Sequence, residues 1–366
     1  MTDLLYSDVE EQLRKSVRDL LADRAPWTAV LARLETAEPY DPALWRALAA
    51  NVGIAGLAVA EEAGGQGATW REAAVVAEEL GRSVAGTPFL GSSVLATVVA
   101  SRAGASDLLG ALAEGAQTAA VAIALDTAPG DAFPDAVAVN ADGTLTGTVR
   151  NVVDARTADH LLVPAVGPGG PGIYQVESGA AAREDVVSFD LTRPLSDLVF
   201  EAVPARVMVE GEDARAALDA ALTTGAVILA SEQLGLAQQC LDVTVDYLKT
   251  RYQFARPIGS YQALKHRVAD VWAAVTKARA LARYAADCAA TDDPDTAIAA
   301  AIAKSHCSET AVRAAEECVQ LHGGIGFTWE HPAHLYLKRA KADAILLGTP
   351  RHHRTHLATL VDLPAA

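Results

Sequence analysis

The chain reads LGLAQQCLDVTVDYLKTRYQFARPIGSYQALKHRVADVWAAV over residues 234–275. Leu234, Leu241, Val245 and Leu248 recur at steps of 7, 11 and 14. Leu264, Val268, Val271 and Val275 recur at steps of 4, 7 and 11. Both sets trace one face of a helix with a period of about 3.6. Between them, Arg251 to Gln262 is a connector punctuated by Pro257 and Gly259. The same texture continues to the end of the chain, broken at Thr291-Asp292-Asp293-Pro294, so residues 209–366 read as a C-terminal four-helix bundle.

Moving toward the N-terminus, the period changes. Residues 119–208 hold short runs rich in Val, Ile and Thr: VAIALD, DAVAVN, TLTGTVRNVVDA, HLLVPAV, GIYQVES and LVFEAVPARVMVE. Asp142-Gly143 is a hairpin signal, and Gly167-Pro168-Gly169-Gly170-Pro171 reads as a loop. A small central antiparallel β-domain is expected there. Residues 1–118 are helical again. Leu13, Val17, Leu20 and Leu21 share a face, Ser7 and Glu10 form a capping-box pattern, and Asp41-Pro42 opens a helix. Gly64-Gly65-Gln66-Gly67 ends one helix before the next begins. The fold class is α+β: an N-terminal helical domain, a small β-domain and a C-terminal helical bundle.

Composition narrows the function. The chain has 366 residues, 51% hydrophobic and 21% charged, enough for a large core. Thirty Lys and Arg against 46 Asp and Glu leave a net charge of −16, which repels phosphate backbones and disfavours nucleic acid. The start MTDLLYSDVEEQLRKSV has no signal-peptide pattern, and no uncharged apolar run reaches membrane-spanning length. Cys240, Cys288, Cys307 and Cys318 lie far apart, without metal-ligand spacing. They read as buried thiols of a cytoplasmic protein with no bound metal.

Two segments carry chemistry. RYQFARPIGSYQ (251–262) puts a fixed cation, an aromatic face and a carboxamide on one connector, a kit suited to a nucleotide. A plain helix-helix turn with Phe254 in the core accounts for the same residues. QLHGGIGFTWE (320–330) ends a helix on glycines, which let backbone approach a phosphate or a flat ring. A glycine C-cap is the simpler reading. Arg351, His352, His353, Arg354 and His356 sit near a helix start and read mainly as a solvated or interface cluster, and Lys338, Arg339 and Lys341 as a charged helix face.

R-x-Q-F-x-x-P-I-x-x-x-Q followed, about 60 residues on, by Q-x-H-G-G-x-G-F-T-x-E resembles the acyl-CoA dehydrogenase family. The resemblance extends to VGIAGLAVAEEAGGQG in the first domain and TLTGTVRNVVDARTADHLLVPA in the second, nearly the whole chain. It implies an FAD enzyme that desaturates an acyl-CoA at its α and β carbons, with electrons passing to an electron-transfer flavoprotein. It makes Arg251, Phe254 and Gln262 contacts to the ADP half of an FAD whose flavin lies in the neighbouring subunit. Gln320, Leu321, His322, Gly323 and Gly324 would approach the same FAD.

The sequence departs from that family where the catalytic base belongs. One family position, before Gly348-Thr349, is Leu347, and the alternative, on the first long helix of the C-terminal domain, is Gly225. Neither takes a proton. Glu232, two helical turns beyond Gly225, is the remaining nearby carboxylate and a weak candidate base. AIALDTAPG (122–130) also lacks the family's Thr-Glu-Pro-like flavin contact, and Ala255 stands where Gly is usual. The expectation is a non-catalytic subunit resembling those of actinobacterial heterotetrameric (α2β2) acyl-CoA dehydrogenases, beside a second related chain that supplies the base. DVVSFDLTRPLSDLVFEA is similar to that branch, whose substrates are steroid side-chain CoA esters. Two alternatives stay open: a self-sufficient homomeric dehydrogenase with an unusual base, and a flavin-dependent monooxygenase on the same scaffold.

Overall fold

The computed structural model describes residues 4–363 except 35, 37 and 39. The N-terminal part contains α1 (Asp8–Arg24), α2 (Trp27–Arg33), α3 (Pro42–Arg46), α4 (Trp70–Ser83), α5 (Thr97–Arg102) and α6 (Ser106–Ala113). Ser7 Oγ accepts from the Glu10 amide at 3.2 Å and Glu10 Oε2 from the Ser7 amide at 2.6 Å, so the expected capping box forms. Asp41 caps α3, accepting from the Ala43 amide at 2.9 Å. The segment before Gly64-Gly67 is not a helix as expected but two single 3-10 turns, Ile54–Gly56 and Glu61–Ala63. Gly53 and Gly64, both left-handed, interrupt it too often for α-helix to propagate.

The central part is one eight-stranded sheet: β1 (Ala119–Val121), β2 (Val137–Val139), β3 (Leu145–Val153), β4 (His160–Gly167), β5 (Gly170–Glu177), β6 (Ala182–Val186), β7 (Leu195–Val203) and β8 (Arg206–Glu210). The order is β6-β7-β3-β2-β4-β5-β8, with β1 paired to β4 off this path. The sheet is mainly antiparallel, but β1 and β2 both run parallel to β4, at Ala120↔Leu161 and Ala138↔Val166. Strand alternation sorts neighbouring residues into two cores. Leu161, Val163 and Ala165 join Phe200 and Tyr174 inside the β-domain. Leu162 and Ile173 face the helices.

The C-terminal part holds α7 (Glu212–Thr250), a hairpin of β9 (Tyr252–Gln253) and β10 (Arg256–Pro257), α8 (Gln262–Ala290), α9 (Thr296–His322), α10 (Ala333–Asp343) and α11 (Pro350–Leu360). Three long helices and two short ones make up the bundle. α7 crosses α4 backbone to backbone. A Cβ on Gly235 would lie 1.8 Å from the Glu78 carbonyl oxygen, and one on Gly81 2.0 Å from that of Glu232. Among the described residues α7 is the one helix long and apolar enough to cross a bilayer, yet 83% of its most apolar stretch is buried in the core.

Candidate functional site

The two chemical segments meet at one end of the bundle. α7 ends where the Arg251 amide reaches the Tyr247 carbonyl at 2.9 Å, and the hairpin closes where the Ile258 amide donates to the Arg251 carbonyl at 2.8 Å. At its tip Phe254 (φ 52°) and Ala255 (φ 61°) are both left-handed, the backbone of a tight hairpin turn. Phe254 is 88% exposed, so it is not the core residue of a plain helix-helix turn. Arg251 is exposed and makes no salt bridge among the described residues, and Gln262 opens α8 in solvent.

α9 ends beside this hairpin, with the His322 and Tyr247 rings 4.4 Å apart. His322 Nδ1 donates to the Cys318 carbonyl at 2.6 Å, and its ring also lies 4.1 Å from that of His331. The side chains of Leu321 and His322 are buried. Their outward contribution is therefore backbone, next to the exposed Gln320 side chain. A Cβ on Gly323 or Gly324 would meet nothing within 4 Å, so open space adjoins both. A guanidinium without an ion-pair partner among the described residues, an exposed π face, a carboxamide and bare backbone fit the adenosine-diphosphate end of a flavin dinucleotide.

The base position is different. A Cβ on Gly225 would lie 2.6 Å from Leu95 Cδ2 and 2.9 Å from Leu347 Cδ1. The two family positions for a base thus adjoin in space, and leucine side chains fill the gap between them. The turn carrying Leu347 is fastened from several sides. The Leu347 amide donates to the Leu125 carbonyl at 3.0 Å, and His353 Nε2 donates to the Leu347 carbonyl at 2.8 Å. Buried Lys304 donates to the carbonyls of Asp343 at 2.9 Å and Gly348 at 3.2 Å. Residues 125–130 lie flush on this turn: a Cβ on Gly348 would be 2.7 Å from that of Ala128, and His352 Nε2 donates to the Pro129 carbonyl at 3.2 Å. The stretch that lacks the flavin-contact pattern therefore packs onto the stretch that lacks the base.

Glu232 faces neither. It is buried in an ion cluster that the sequence reading missed. Arg193 Nη2 lies 2.5 and 2.7 Å from its two oxygens, and Arg339 Nη1 lies 2.5 Å from Oε1. Arg339 Nε reaches Asp190 Oδ2 at 2.6 Å, and Asp190 Oδ1 accepts from the Thr192 amide and hydroxyl. Burial alone would raise the Glu232 carboxyl, but the two guanidiniums outweigh it and hold it below the ordinary carboxylate range. Burial and the Glu232 charge push nearby Asp343 up to about 7. Arg339 is 2% exposed, which corrects its place on a charged helix face. One signal was available: Glu232 is the only charged residue between Asp219 and Asp242, so it needed buried partners.

The three-part fold, with its exposed loops between long helices, defines a class of flavoprotein oxidoreductases that act on the CH–CH bond of acyl-CoA esters. Residues 7–110 match the family model "Acyl-CoA dehydrogenase, N-terminal domain", and residues 214–361 match "Acyl-CoA dehydrogenase, C-terminal domain". The chain belongs to the acyl-CoA dehydrogenase family. Among individual relatives, it is 37% identical over 351 residues to acyl-CoA dehydrogenase IpdE2 of Mycolicibacterium smegmatis (strain ATCC 700084 / mc(2)155), covering 96% of this chain and 98% of that one. Of solved structures, a Tcur3481-Tcur3483 steroid acyl-CoA dehydrogenase variant superposes with a TM-score of 0.86 at 31% identity, covering 97% of this chain and 98% of the other. The ChsE4-ChsE5 complex from Mycobacterium tuberculosis superposes with a TM-score of 0.88 at 27% identity, covering 100% of both chains.

Proposed function

We propose that this chain is the non-catalytic subunit of a heteromeric, FAD-dependent acyl-CoA dehydrogenase. A second, related chain supplies the base, and this chain supplies contacts to the ADP half of that chain's FAD. The observation that carries the reading is the packing of Leu347 and Leu95 against Gly225, which leaves neither a proton acceptor nor room for one. Glu232 is not assigned as a base, because both of its oxygens already accept from guanidiniums. FAD, when bound, would supply the acceptor for a hydride from the β-carbon of the acyl group. The roles proposed for this chain are positional. Arg251 holds phosphate or stacks, Phe254 offers a ring face, and Gln262 and Gln320 supply carboxamides. The backbone of Leu321 to Gly324 lies against the nucleotide. Similarity to steroid acyl-CoA dehydrogenase structures supports a bulky steroid side-chain CoA ester as substrate, with an electron-transfer flavoprotein as electron acceptor.

Flavin counting tests the reading. The two chains co-purified should carry one FAD per pair, and this chain alone should carry none and leave acyl-CoA unchanged. Full flavin on the isolated chain together with acyl-CoA turnover would overturn it.

A further inference from the structure

The hairpin tip is unusual as a free structure. Phe254 and Ala255 both hold a left-handed backbone although both carry a Cβ, which disfavours that region for all residues but glycine. The two flanking strands are only two residues each. Two-residue strands do not hold a hairpin in water by themselves. Something else must fix the shape of a loop whose tip residue is 88% exposed.

A stack between Arg256 and Tyr261 supplies that contact. The Arg256 guanidinium carbon lies 3.8 Å from the centroid of the Tyr261 ring, face-on. Arg256 is the first residue of β10, paired with Gln253, and Tyr261 immediately precedes α8. The Tyr261 hydroxyl lies 3.5 Å from the Gln253 carbonyl, the outer limit of a hydrogen bond, so the ring face carries the contact. Arg256 and Tyr261 therefore tie the far arm of the hairpin to the start of a rigid 29-residue helix.

We propose that Arg256, stacked on Tyr261, is a positioning residue that sets the Phe254 tip in its nucleotide-receiving shape before the FAD arrives. The proposal rests on the reading of this loop as a flavin-tail site. It adds that affinity there depends on a contact the nucleotide never touches. A preset tip loses less conformational freedom on binding than a mobile one. The stack supplies both a cation and a π face, so each half should be replaceable by a group of the same kind and by no other.

The test measures FAD dissociation from the two-chain complex, by the rise of free-flavin fluorescence on dilution. Variants are Arg256→Gln, Arg256→Lys, Tyr261→Leu and Tyr261→Phe, with Phe254→Ala and Arg251→Ala as controls. Losing an exposed cation–π contact should weaken FAD about three- to fivefold in Arg256→Gln and Tyr261→Leu. Arg256→Lys and Tyr261→Phe should bind FAD like the parent, and the thermal midpoint of the FAD-free complex should not move in any of them. Losing the ring that receives a base should weaken FAD about tenfold or more in Phe254→Ala. If the two controls bind FAD like the parent, the flavin-tail reading itself is wrong. If the controls weaken FAD but Arg256→Gln and Tyr261→Leu do not, the site stands and the positioning role falls. If Tyr261→Phe or Arg256→Lys weakens FAD as much as Tyr261→Leu, the stack is not what matters, and the proposal fails equally.

Discussion

At the scale of single residues, Glu232 shows how an apparent catalytic group can be structural. A carboxylate in an apolar helix face is costly unless its charge is met. Here two guanidiniums from separate parts of the chain meet it. Glu232→Gln would leave Arg193 and Arg339 short of a counter-charge, and breaking a buried pair on one side costs about 3–5 kcal/mol. Urea unfolding of the complex near neutral pH should read that loss. The pH dependence follows from the sign of the shift. A carboxyl held low in the folded chain stabilises it above the ordinary carboxylate range and gives that up as pH falls through the folded value. The gap between parent and Glu232→Gln should therefore narrow on acidification. A gap that stays constant from neutral pH to about pH 3 would show that the Glu232 charge contributes nothing. Leu347 makes the converse case. Leu347→Glu would put a carboxylate against Leu95 and Gly225, without a partner. It should lower the thermal midpoint and leave the isolated chain inactive toward acyl-CoA, as a dehydrogenase assay would show. Activity gained by that one change would mean that the slot is open after all.

At the scale of elements, α7 carries the architecture. It crosses α4 through the reciprocal contact of Gly81 and Gly235, so the helices meet at backbone distance. The same crossing seats Glu232 within reach of α10 and of the connector before β7. Gly235→Ala would drive a methyl into the Glu78 carbonyl and force the helices apart. Overpacking of this kind costs about 1–3 kcal/mol, seen as a lower urea midpoint. Because Glu78 and Glu232 sit at the crossing, the change should also loosen the ion cluster. Gly235→Ala combined with Glu232→Gln should then cost less than the sum of the two single changes. Additive costs would show that the crossing and the cluster are independent.

At the scale of the whole molecule, α4, the sheet and the C-terminal helices meet along α7. Residues 125–130 close onto the Leu347 turn, and Asp190 and Arg193 close onto α7 and α10. At the far end of α7 the loops face outward and stay open. One end of the chain is sealed, and the other, on the function proposed above, receives a nucleotide. The single flavin per pair of chains predicted above belongs to this scale, because it depends on that polarity rather than on any one side chain.

The sequence by itself determined the helix-sheet-helix order, the caps at Ser7 and Asp41, the hairpin turn at Asp142-Gly143 and the family. These rest on local periodicity and turn chemistry, which neighbouring residues specify without help from distant ones. It also showed that Leu347 and Gly225 cannot act as bases, since that follows from side-chain chemistry alone. Only the tertiary structure decided that these two positions adjoin, that Leu95 fills the space between them, and that Arg193, Arg339 and Asp190 gather around Glu232. Those residues lie tens to more than a hundred positions apart, and the charge on an arginine does not say which buried carboxylate it will meet. That is settled by how α4, α7, α10 and the sheet pack, a property of the folded chain as a whole.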